Sequence, residues 1–445
     1  MATGLTLDQL RLDAEQVLRS NDRGNWTRPS PRLYPHQWSW DSAFIAIGWA
    51  HLDPLRAIGE LRSLLEAQWE TGMIPHIAFD PDVDLSAYEP GPNRWASAGH
   101  APPERLTSAI CQPPVHAIAL GRIREITVQS RPELVAHIDE AIAELYPKLE
   151  RWHRWLHEVR DPDGTGLITI LHPWESGLDN SPRWDEPLNA VGQSTACLER
   201  PDLLEVPNSD ERPTNTEYRR YMFLLESLVA LDHDQSAAME THPFRAADVF
   251  FSAILAAADD ALSELAVIAH HPRSAHSHRT NAALIRKALE HRWDPELSAC
   301  LDVDLRTGEA LRSDTIATFA PLISGCDLDR SAILVERLFG PSYCGSPGLK
   351  WQLPPSNAVT SPSFDSRAYW RGPQWAPITW LLWWGLSRGG HGRSAERLRT
   401  SALDQLSAVG CVEYVDPLTG DGLGSRSQSW TAAVALDWLA QESSK

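Results

Sequence analysis

Apolar residues recur along almost the whole chain at steps of three and four, the spacing that gathers them on one face of an α-helix. The clearest run follows Ser130-Arg-Pro-Glu133: Leu134, Ile138, Ile142, Leu145, Leu149, Trp152 and Leu156 share a stripe, and Pro147 is expected to bend the helix. Thr6 and Gln9 stand at capping-box spacing ahead of Leu10, Ala14, Val17 and Leu18. Asp53-Pro54 caps and starts a helix with Leu55, Ile58, Leu61, Leu65 and Trp69 inward, stopped at Gly72. The same period predicts helices near 41–52, 113–125, 216–231, 246–270, 276–292, 313–324, 329–338, 371–387, 392–407 and 428–441. That makes about thirteen.

Strand signals are few and short: residues 167–171, 299–305 and 411–415. They predict small β-ribbons on the helix connections rather than a sheet. No βαβ alternation occurs and no Gly-rich loop follows a strand, which disfavours nucleotide-binding folds. Mostly short helices that pair as α-hairpins, about twelve of them in one domain, predict an all-α toroid of two concentric rings with its pocket at one end. No segment resembles a linker, so residues 1–445 are expected to form a single domain. Three long irregular segments, 80–105, 193–216 and 341–367, are expected as insertions, and loops of such length are usually lids or binding loops.

Composition narrows the function. A 42 % hydrophobic content supports a sizeable core, and a formal charge of −19 argues against nucleic acid as a partner, because phosphates would be repelled. No apolar run reaches the roughly 20 residues that span a bilayer, so no membrane partner is expected. The N-terminus has no signal-peptide pattern, and Asn25-Trp-Thr27 therefore carries little weight as a glycosylation sequon. Six dispersed cysteines (Cys111, Cys197, Cys300, Cys326, Cys344, Cys411) suit neither a disulfide framework nor a zinc site and point to a reduced, cytoplasmic protein. Oligomeric state is open between a monomer and a small homo-oligomer.

The aromatic content changes the picture most: 19 Trp against 9 Phe and 8 Tyr. Trp69, Trp152 and Trp438 sit at helical spacing among Leu and Ile and read as core. Trp38, Trp40, Trp174, Trp184, Trp370, Trp375 and Trp430 stand at helix ends beside polar residues and mark a ligand surface. The densest site is HPWESGLDNSPRWD (172–185), where Glu175, Asp179 and Asp185 lie between two indoles, with Gly177 and Pro182 as breakers. A pyranose stacks its C–H faces on Trp, bonds its hydroxyls to carboxylates and needs its glycosidic oxygen protonated.

Four further segments combine aromatic and polar residues at helix boundaries: 34–41, 112–114, 369–375, and 413–420 running on to 428–430. Each has a plain structural explanation too. Asp41 can cap its helix, Gln112-Pro-Pro can be a helix start, Arg371 can bridge an acid and Glu413 can be a strand-edge charge. Their recurrence at five helix ends favours a shared site. The seventeen His form no metal motif, there is no G-x-S-x-G elbow, and no Cys has an activating context. What remains is a pair of carboxylates working without cofactor or metal, the requirement for glycoside hydrolysis.

WSWDSAFIAIGWA (38–50), GMIPHI (72–77), HPWESGLDNSP (172–182), ATFAPLISG (317–325), YWRGPQW (369–375), EYVDPLTGDGLG (413–424) and SWTAA (429–433) resemble glycoside hydrolase family 63. Within it the similarity is to the compact bacterial mannosylglycerate and glucosylglycerate hydrolases, in order over about residues 30–440. The resemblance implies an (α/α)6 barrel and an inverting mechanism. It puts the general acid on Asp179, the general base on Glu413, and a carboxylate that holds hydroxyls of the cleaved sugar on Asp41. Trp38, Trp40, Trp174, Gln112, Tyr369, Trp370 and Gln428 fall on sugar-pocket positions, while Tyr34, Tyr88, Arg212 and Tyr218 match the residues that grip glycerate. Arg212 also has Asp210 and Glu211 beside it as local ion-pair partners.

The expected activity is cofactor-free, inverting hydrolysis of the α-glycosidic bond of glucosylglycerate or mannosylglycerate. An indole wall and nearby carboxylates are expected to raise the pKa of Asp179, and Glu175 and Asp185 either to orient its neighbours or to add to that rise. Loops 80–105 and 193–216 are expected to close over the glycerate side. Three alternatives stay open: a trehalase-like hydrolase of another small α-glycoside, a sugar epimerase using His36, His76, His116 or His172, and a non-catalytic sugar-binding protein.

Overall fold

A computed structural model describes residues 4–84 and 87–441; positions 85 and 86 of the expected 80–105 loop, and both ends of the expected 1–445 domain, lie outside them. Among the described residues twelve helices alternate between an outer and an inner ring. The outer six are α1 (Leu7–Asn21), α3 (Pro54–Glu66), α5 (Val135–Val159), α7 (Pro272–His291), α9 (Leu328–Leu338) and α11 (Gly392–Val409). The inner six are α2 (Ser39–Ala50), α4 (His116–Ser130), α6 (Val249–Ile268), α8 (Ala320–Ser324), α10 (Ala376–Arg388) and α12 (Ser429–Ala440). Inner neighbours pack in chain order, and α12 closes the ring on α2. This is the (α/α)6 toroid.

The two rings differ because their sequences differ. Every residue of α2 is buried, and α6 and α10 are apolar on nearly all sides, as a helix enclosed by others must be. The outer helices carry one apolar stripe; that of α5 holds Ile138, Ile142, Leu145, Leu149, Trp152 and Leu156. This helix continues past Pro147 without ending. Local chemistry sets the starts. Thr6 and Gln9 form the capping box of α1, and Asp53 accepts from Leu55 and Arg56 N–H ahead of Pro54 in α3. Helix α3 stops at Glu66 rather than at Gly72, because residues 69–73 leave it to make a turn in which Trp69 N–H bonds Met73 C=O at 2.9 Å. One end of the barrel is knitted by Asp437, which accepts from Arg122 (2.8 Å) and Trp380 Nε1 (2.9 Å) and pairs with His51 (2.9 Å). Burial alone would raise this carboxyl, but the His51 bond and the Arg122 charge outweigh it and hold it at about 2.

Expected ribbons occur at Trp293–Asp294 with Ala299–Cys300 and at Val412–Val415 with Gly422–Arg426, and a further one that the pattern did not predict joins Gln37–Trp38 to Ile77–Ala78. One expectation is corrected. Thr169–Ile170, Ala246–Ala247, Asp302–Asp304 and Glu309–Leu311 join into a four-stranded antiparallel sheet. Strands of two or three residues are too short to leave an alternating pattern, and their pairing spans segments far apart in the chain.

The longest insertion, between α5 and α6, carries the helix Asn215–Ala230, again started by a capping box (Thr214 and Glu217). The helix is tied to loop 80–105 by Tyr218 Oη to Glu89 C=O (2.6 Å), and its preceding loop by Arg94 to Cys197 C=O (3.0 Å). Arg367, from loop 341–367, reaches Glu211 (2.8 Å) and Asp421 (3.0 Å). No described helix is long and apolar enough to cross a membrane.

Candidate active site

Alternation of outer and inner helices gives the inner ring one polarity, so its N-termini share an end of the barrel. The segments leading into α2, α4, α10 and α12 line a cavity there, joined by the stretch 172–179 and by loops 80–105 and 193–216. All fourteen residues singled out from the sequence line it: Tyr34, Trp38, Trp40, Asp41, Tyr88, Gln112, Trp174, Asp179, Arg212, Tyr218, Tyr369, Trp370, Glu413 and Gln428. Leu33, His76, Gly177, Asp202, Pro213 and Trp430 line it as well. Trp430 belongs to the helix-end tryptophans noted above; Leu33, Asp202 and Pro213 lie in connecting segments that carry no periodic signal.

Two of the expected ligand-surface indoles are not in the wall. Trp375 lies behind it, stacked between Trp370 (centroids 3.6 Å apart, planes 7° apart) and Tyr414 (4.5 Å). Trp184 is buried under Arg183, whose guanidinium stands 4.1 Å from its ring. Both stiffen the residues that do face the cavity. Loop 341–367 likewise contributes no lining residue; it backs the lid through Arg367.

Asp179 follows a tight turn. His172 caps the 3-10 turn Pro173–Ser176 by accepting from Trp174 N–H (3.0 Å), and Gly177 then takes φ +70. A Cβ at Gly177 would stand 2.5 Å from the Trp40 ring, so the close approach demands glycine. Beneath the turn Glu175 makes a two-pronged ion pair with Arg160 (2.7 and 2.8 Å) and accepts from Leu171 (2.6 Å) and Cys111 (3.1 Å) N–H. Asp185 makes a similar fork with Arg371, 2.7 Å on each side. Neither acid is among the groups that act on Asp179, so of the two expected roles the geometry supports the orienting one and not the rise in pKa. Their charges are spent on arginines, and they hold the turn instead.

Glu413 sits on the first strand of the 412–426 hairpin and is 1 % exposed. Its Oε1 accepts from Tyr34 Oη (2.6 Å) and faces Arg212 Nη1 (3.5 Å), while Oε2 accepts from Ser425 N–H (2.7 Å). Gly424, at φ +66, leaves the space this carboxylate fills, since a Cβ there would overlap Oε2. Arg212 also bonds Tyr34 Oη (3.1 Å), lies 4.2 Å from the Tyr369 ring centre and pairs loosely with Asp202 (3.6 Å). Its sequence neighbour Glu211 pairs with Arg367 instead, so Arg212 is turned to the cavity.

The proton states separate. Burial pushes Asp179 up to about 7; Arg212 opposes the rise and the Glu413 charge adds to it. Burial also raises Glu413, but Arg212 and the bonds from Tyr34 and Ser425 pull it back. Asp41 is raised well above the ordinary carboxyl value by burial first and then by Glu413. Although it lies in the first turn of α2, it is not the cap, a position held by Trp38. Around these acids Trp40 N–H bonds Gln112 Oε1 (3.2 Å), and Gln428 is held by a hydrogen bond from Ser425 Oγ.

Of the four histidines expected for epimerase chemistry, only His76 lines the cavity. His36 accepts from Asp80 N–H (3.2 Å), His116 contacts Ser39 Oγ (3.0 Å), and His172 is locked between Trp174 N–H and Tyr221 C=O. Burial pushes His76 down to about 3. An acid–base pair of histidines is therefore not assembled. Among the described residues no cluster of His, Cys, Asp and Glu is arranged as a metal site.

An α/α barrel whose tryptophan-lined end gathers buried carboxylates, one of them raised to about 7, has the arrangement of a glycoside hydrolase. Residues 34–431 match the family described as the mannosylglycerate hydrolase MGH1-like glycoside hydrolase domain, and the chain belongs to that family. It is 44 % identical over 441 residues to the glucosylglycerate hydrolase of Mycolicibacterium hassiacum, covering 98 % of each chain. It is 38 % identical to the mannosylglycerate hydrolase of Thermus thermophilus, covering 96 % of this chain and 100 % of the relative. A crystal structure of the GH63 mannosylglycerate hydrolase from Thermus thermophilus, in complex with Tris and D-glycerate, superposes with a TM-score of 0.88 at 39 % identity, covering 96 % of this chain and 99 % of that one.

The proton states set a pH dependence. If Asp179 must be protonated to act, kcat falls as pH rises through about 7, with one proton lost per active site. Asp179→Glu, which moves the carboxyl, should shift the alkaline limb, and a pH–rate profile of both proteins checks it.

Proposed function

We propose that the chain is a cofactor-free, inverting hydrolase of glucosylglycerate, with mannosylglycerate as the second substrate. The observation that carries this reading is the asymmetry of the acid pair. Burial lifts Asp179 to about 7, whereas the rise that burial gives Glu413 is opposed by the Arg212 charge and by hydrogen bonds from Tyr34 Oη and Ser425 N–H. In the reaction Asp179 gives its proton to the glycosidic oxygen as the C1–O bond breaks, and glycerate leaves as the alcohol. Glu413 takes a proton from a water that adds to C1 from the opposite face, so the α-glycoside yields β-hexose. Proton exchange with solvent then returns both acids to their starting states.

Asp41, Gln112, Gln428, Trp38, Trp40, Trp174, Tyr369 and Trp370 form the sugar subsite in this reading. Tyr34, Tyr88, Arg212 and Tyr218 hold the glycerate, whose carboxylate needs a cation on a protein of charge −19. The whole chain then acts as one catalytic domain, with loops 80–105 and 193–216 as lids. A cytoplasmic location suits the six unpaired thiols. Glucosylglycerate is favoured because the similarity to the glucosylglycerate hydrolase, 44 %, exceeds that to the mannosylglycerate hydrolase, 38 %.

The test is hydrolysis of glucosylglycerate, mannosylglycerate and trehalose by purified protein, with the anomer of the released hexose followed by NMR. Initial β-glucose is expected; initial α-glucose would sink the inverting scheme, and preferred cleavage of trehalose would sink the glycerate assignment. Arg212→Ala is expected to raise KM for the glycerate substrate by about two orders of magnitude, a loss of roughly 2–3 kcal/mol. An aryl α-glucoside should be far less affected in KM, and equal changes on both substrates would remove Arg212 from the glycerate subsite.

A further inference from the structure

A second cavity, of about 760 Å³, lies against the catalytic one. Three chain segments form the partition between them, and each sends neighbouring residues to opposite sides or to both. Asp179 faces the catalytic cavity and Asn180 the second; Tyr369 and Trp370 face the first, and Ala368 and Arg371 the second; Arg212 and Pro213 line both. The two cavities share Arg212 and Pro213, and most of the partition is fastened. Asn180 Oδ1 accepts from Trp370 N–H (2.9 Å), and Arg371 bonds Asn180 C=O (3.2 Å) as well as Asp185. At the Arg212 corner the ion-pair contacts are longer. Glu413 and Asp202 stand at 3.5 and 3.6 Å and Nε is buried without a hydrogen-bond partner, so the guanidinium is held mainly by Tyr34 Oη (3.1 Å) and the Tyr369 face (4.2 Å).

The second cavity contains a cation that the fold has not neutralised. Arg220 bonds the neutral Asn189 Oδ1 (2.7 Å), its Nε has no partner, and no ion pair to it occurs among the described residues. The carboxylates on the same cavity are partly engaged: Asp185 in the Arg371 fork and Glu217 in the cap at Thr214. Asp210 and Asp365 face it as well. The catalytic cavity, by contrast, offers about 70 Å³.

We propose that this second cavity is the vestibule through which the small hydroxycarboxylate exchanges with solvent, its carboxylate moving between Arg212 at the partition and Arg220 outside it. The proposal rests on the functional reading above. The hydrolysis leaves a negatively charged product beside Arg212, on an acidic protein whose bulk field repels it outward. A swing of Arg212 opens that corner without parting the lids or disturbing the fastened wall that carries Asp179. The vestibule also gives the helix Asn215–Ala230 a reason to keep an arginine without a counter-charge on this face.

The test uses D-glycerate as the probe, with binding followed by stopped-flow tryptophan fluorescence in the intact protein. Ala368→Trp fills the vestibule from a position outside the catalytic wall. A blocked route slows entry and exit alike, so on- and off-rates should both fall about tenfold or more while Kd stays within about threefold. Arg220→Gln should lower the on-rate about threefold at low salt and flatten its salt dependence. Wild-type exchange rates in Ala368→Trp, or a weakened Kd at an unchanged on-rate, would overturn the route. A wild-type protein that neither binds D-glycerate nor cleaves a glycosylglycerate would overturn the functional reading itself, whereas cleavage with unaltered exchange in Ala368→Trp removes the vestibule alone.

Discussion

Glu413→Gln is expected to lower kcat by about three to four orders of magnitude and to leave substrate affinity within a few-fold. The amide keeps the shape of the side chain and most of its place between Tyr34 and Ser425 N–H, but it cannot take the proton from water. Asp179→Asn should cost a similar factor for the opposite reason, since an amide cannot protonate the leaving oxygen. The two variants part company on substrates with different leaving groups. An activated aryl α-glucoside departs without help, so Asp179→Asn should regain much of its rate on it while Glu413→Gln does not. Azide or formate, as a substitute nucleophile, should partly rescue a missing base but not a missing acid. Steady-state kinetics on both substrate types, with isothermal calorimetry for affinity, decide the roles. Near-normal turnover by either variant on glucosylglycerate would remove that residue from the chemistry.

The second large effect is expected one layer below the site. Glu175→Ala leaves Arg160 fully buried with only Thr169 C=O and the Trp155 face as partners (3.0 and 4.9 Å), and strips Leu171 and Cys111 N–H of their acceptor. An orphaned buried cation costs about 3–5 kcal/mol. Burial would raise Glu175, but the Arg160 charge and the hydrogen bonds hold its carboxyl below the ordinary value. Its stabilisation is therefore present above the pKa of an unfolded glutamate, about 4.3, and is lost as pH falls through the lower folded value. Urea denaturation should show the wild-type advantage at pH 7 and its shrinkage on acidification. Glu175→Ala/Arg160→Met, which removes both charges, should recover much of the loss. Because Glu175 anchors the turn that carries Asp179, kcat should fall in the single variant even where it is folded; unchanged stability and rate would show that the ion pair does not hold the turn.

Much of this protein is written in local pattern. Steps of three and four give the helices because each must bury one face, and the outer ring can be read residue by residue, as in the Ile138–Leu156 stripe of α5. The inner ring is legible from the opposite property, a run such as Trp38–Ala50 that is apolar on all sides. Helix starts are equally local, since Thr6, Asp53 and Thr214 cap through bonds two or three residues away. Tryptophan and carboxylate together at helix ends mark the site segments, and motif resemblance orders them into roles. Thr169–Ile170 and Asp302–Asp304 lie within predicted strands, but their joining with Ala246–Ala247 and Glu309–Leu311 into one sheet escapes, because the pairing depends on segments far apart in the chain rather than on a repeat.

What local pattern cannot carry is the sorting of chemically similar residues into those that face the cavity and those that hold it. Glu175, Asp179 and Asp185 share one short stretch, yet two are consumed by Arg160 and Arg371, which come from other elements, and only Asp179 is left to titrate near 7. Trp370 and Trp375 are near neighbours in sequence, one in the wall and the other stacked behind it. Arg212, flanked by acids in sequence, is aimed instead at Glu413, 201 positions later. In each case the decision is electrostatic or steric and is taken by a partner that sequence distance hides. The chain by itself determined the barrel and the cast of the site; closure of the ring decided which acid keeps its proton, because burial and neighbouring charge exist only once the far segments meet.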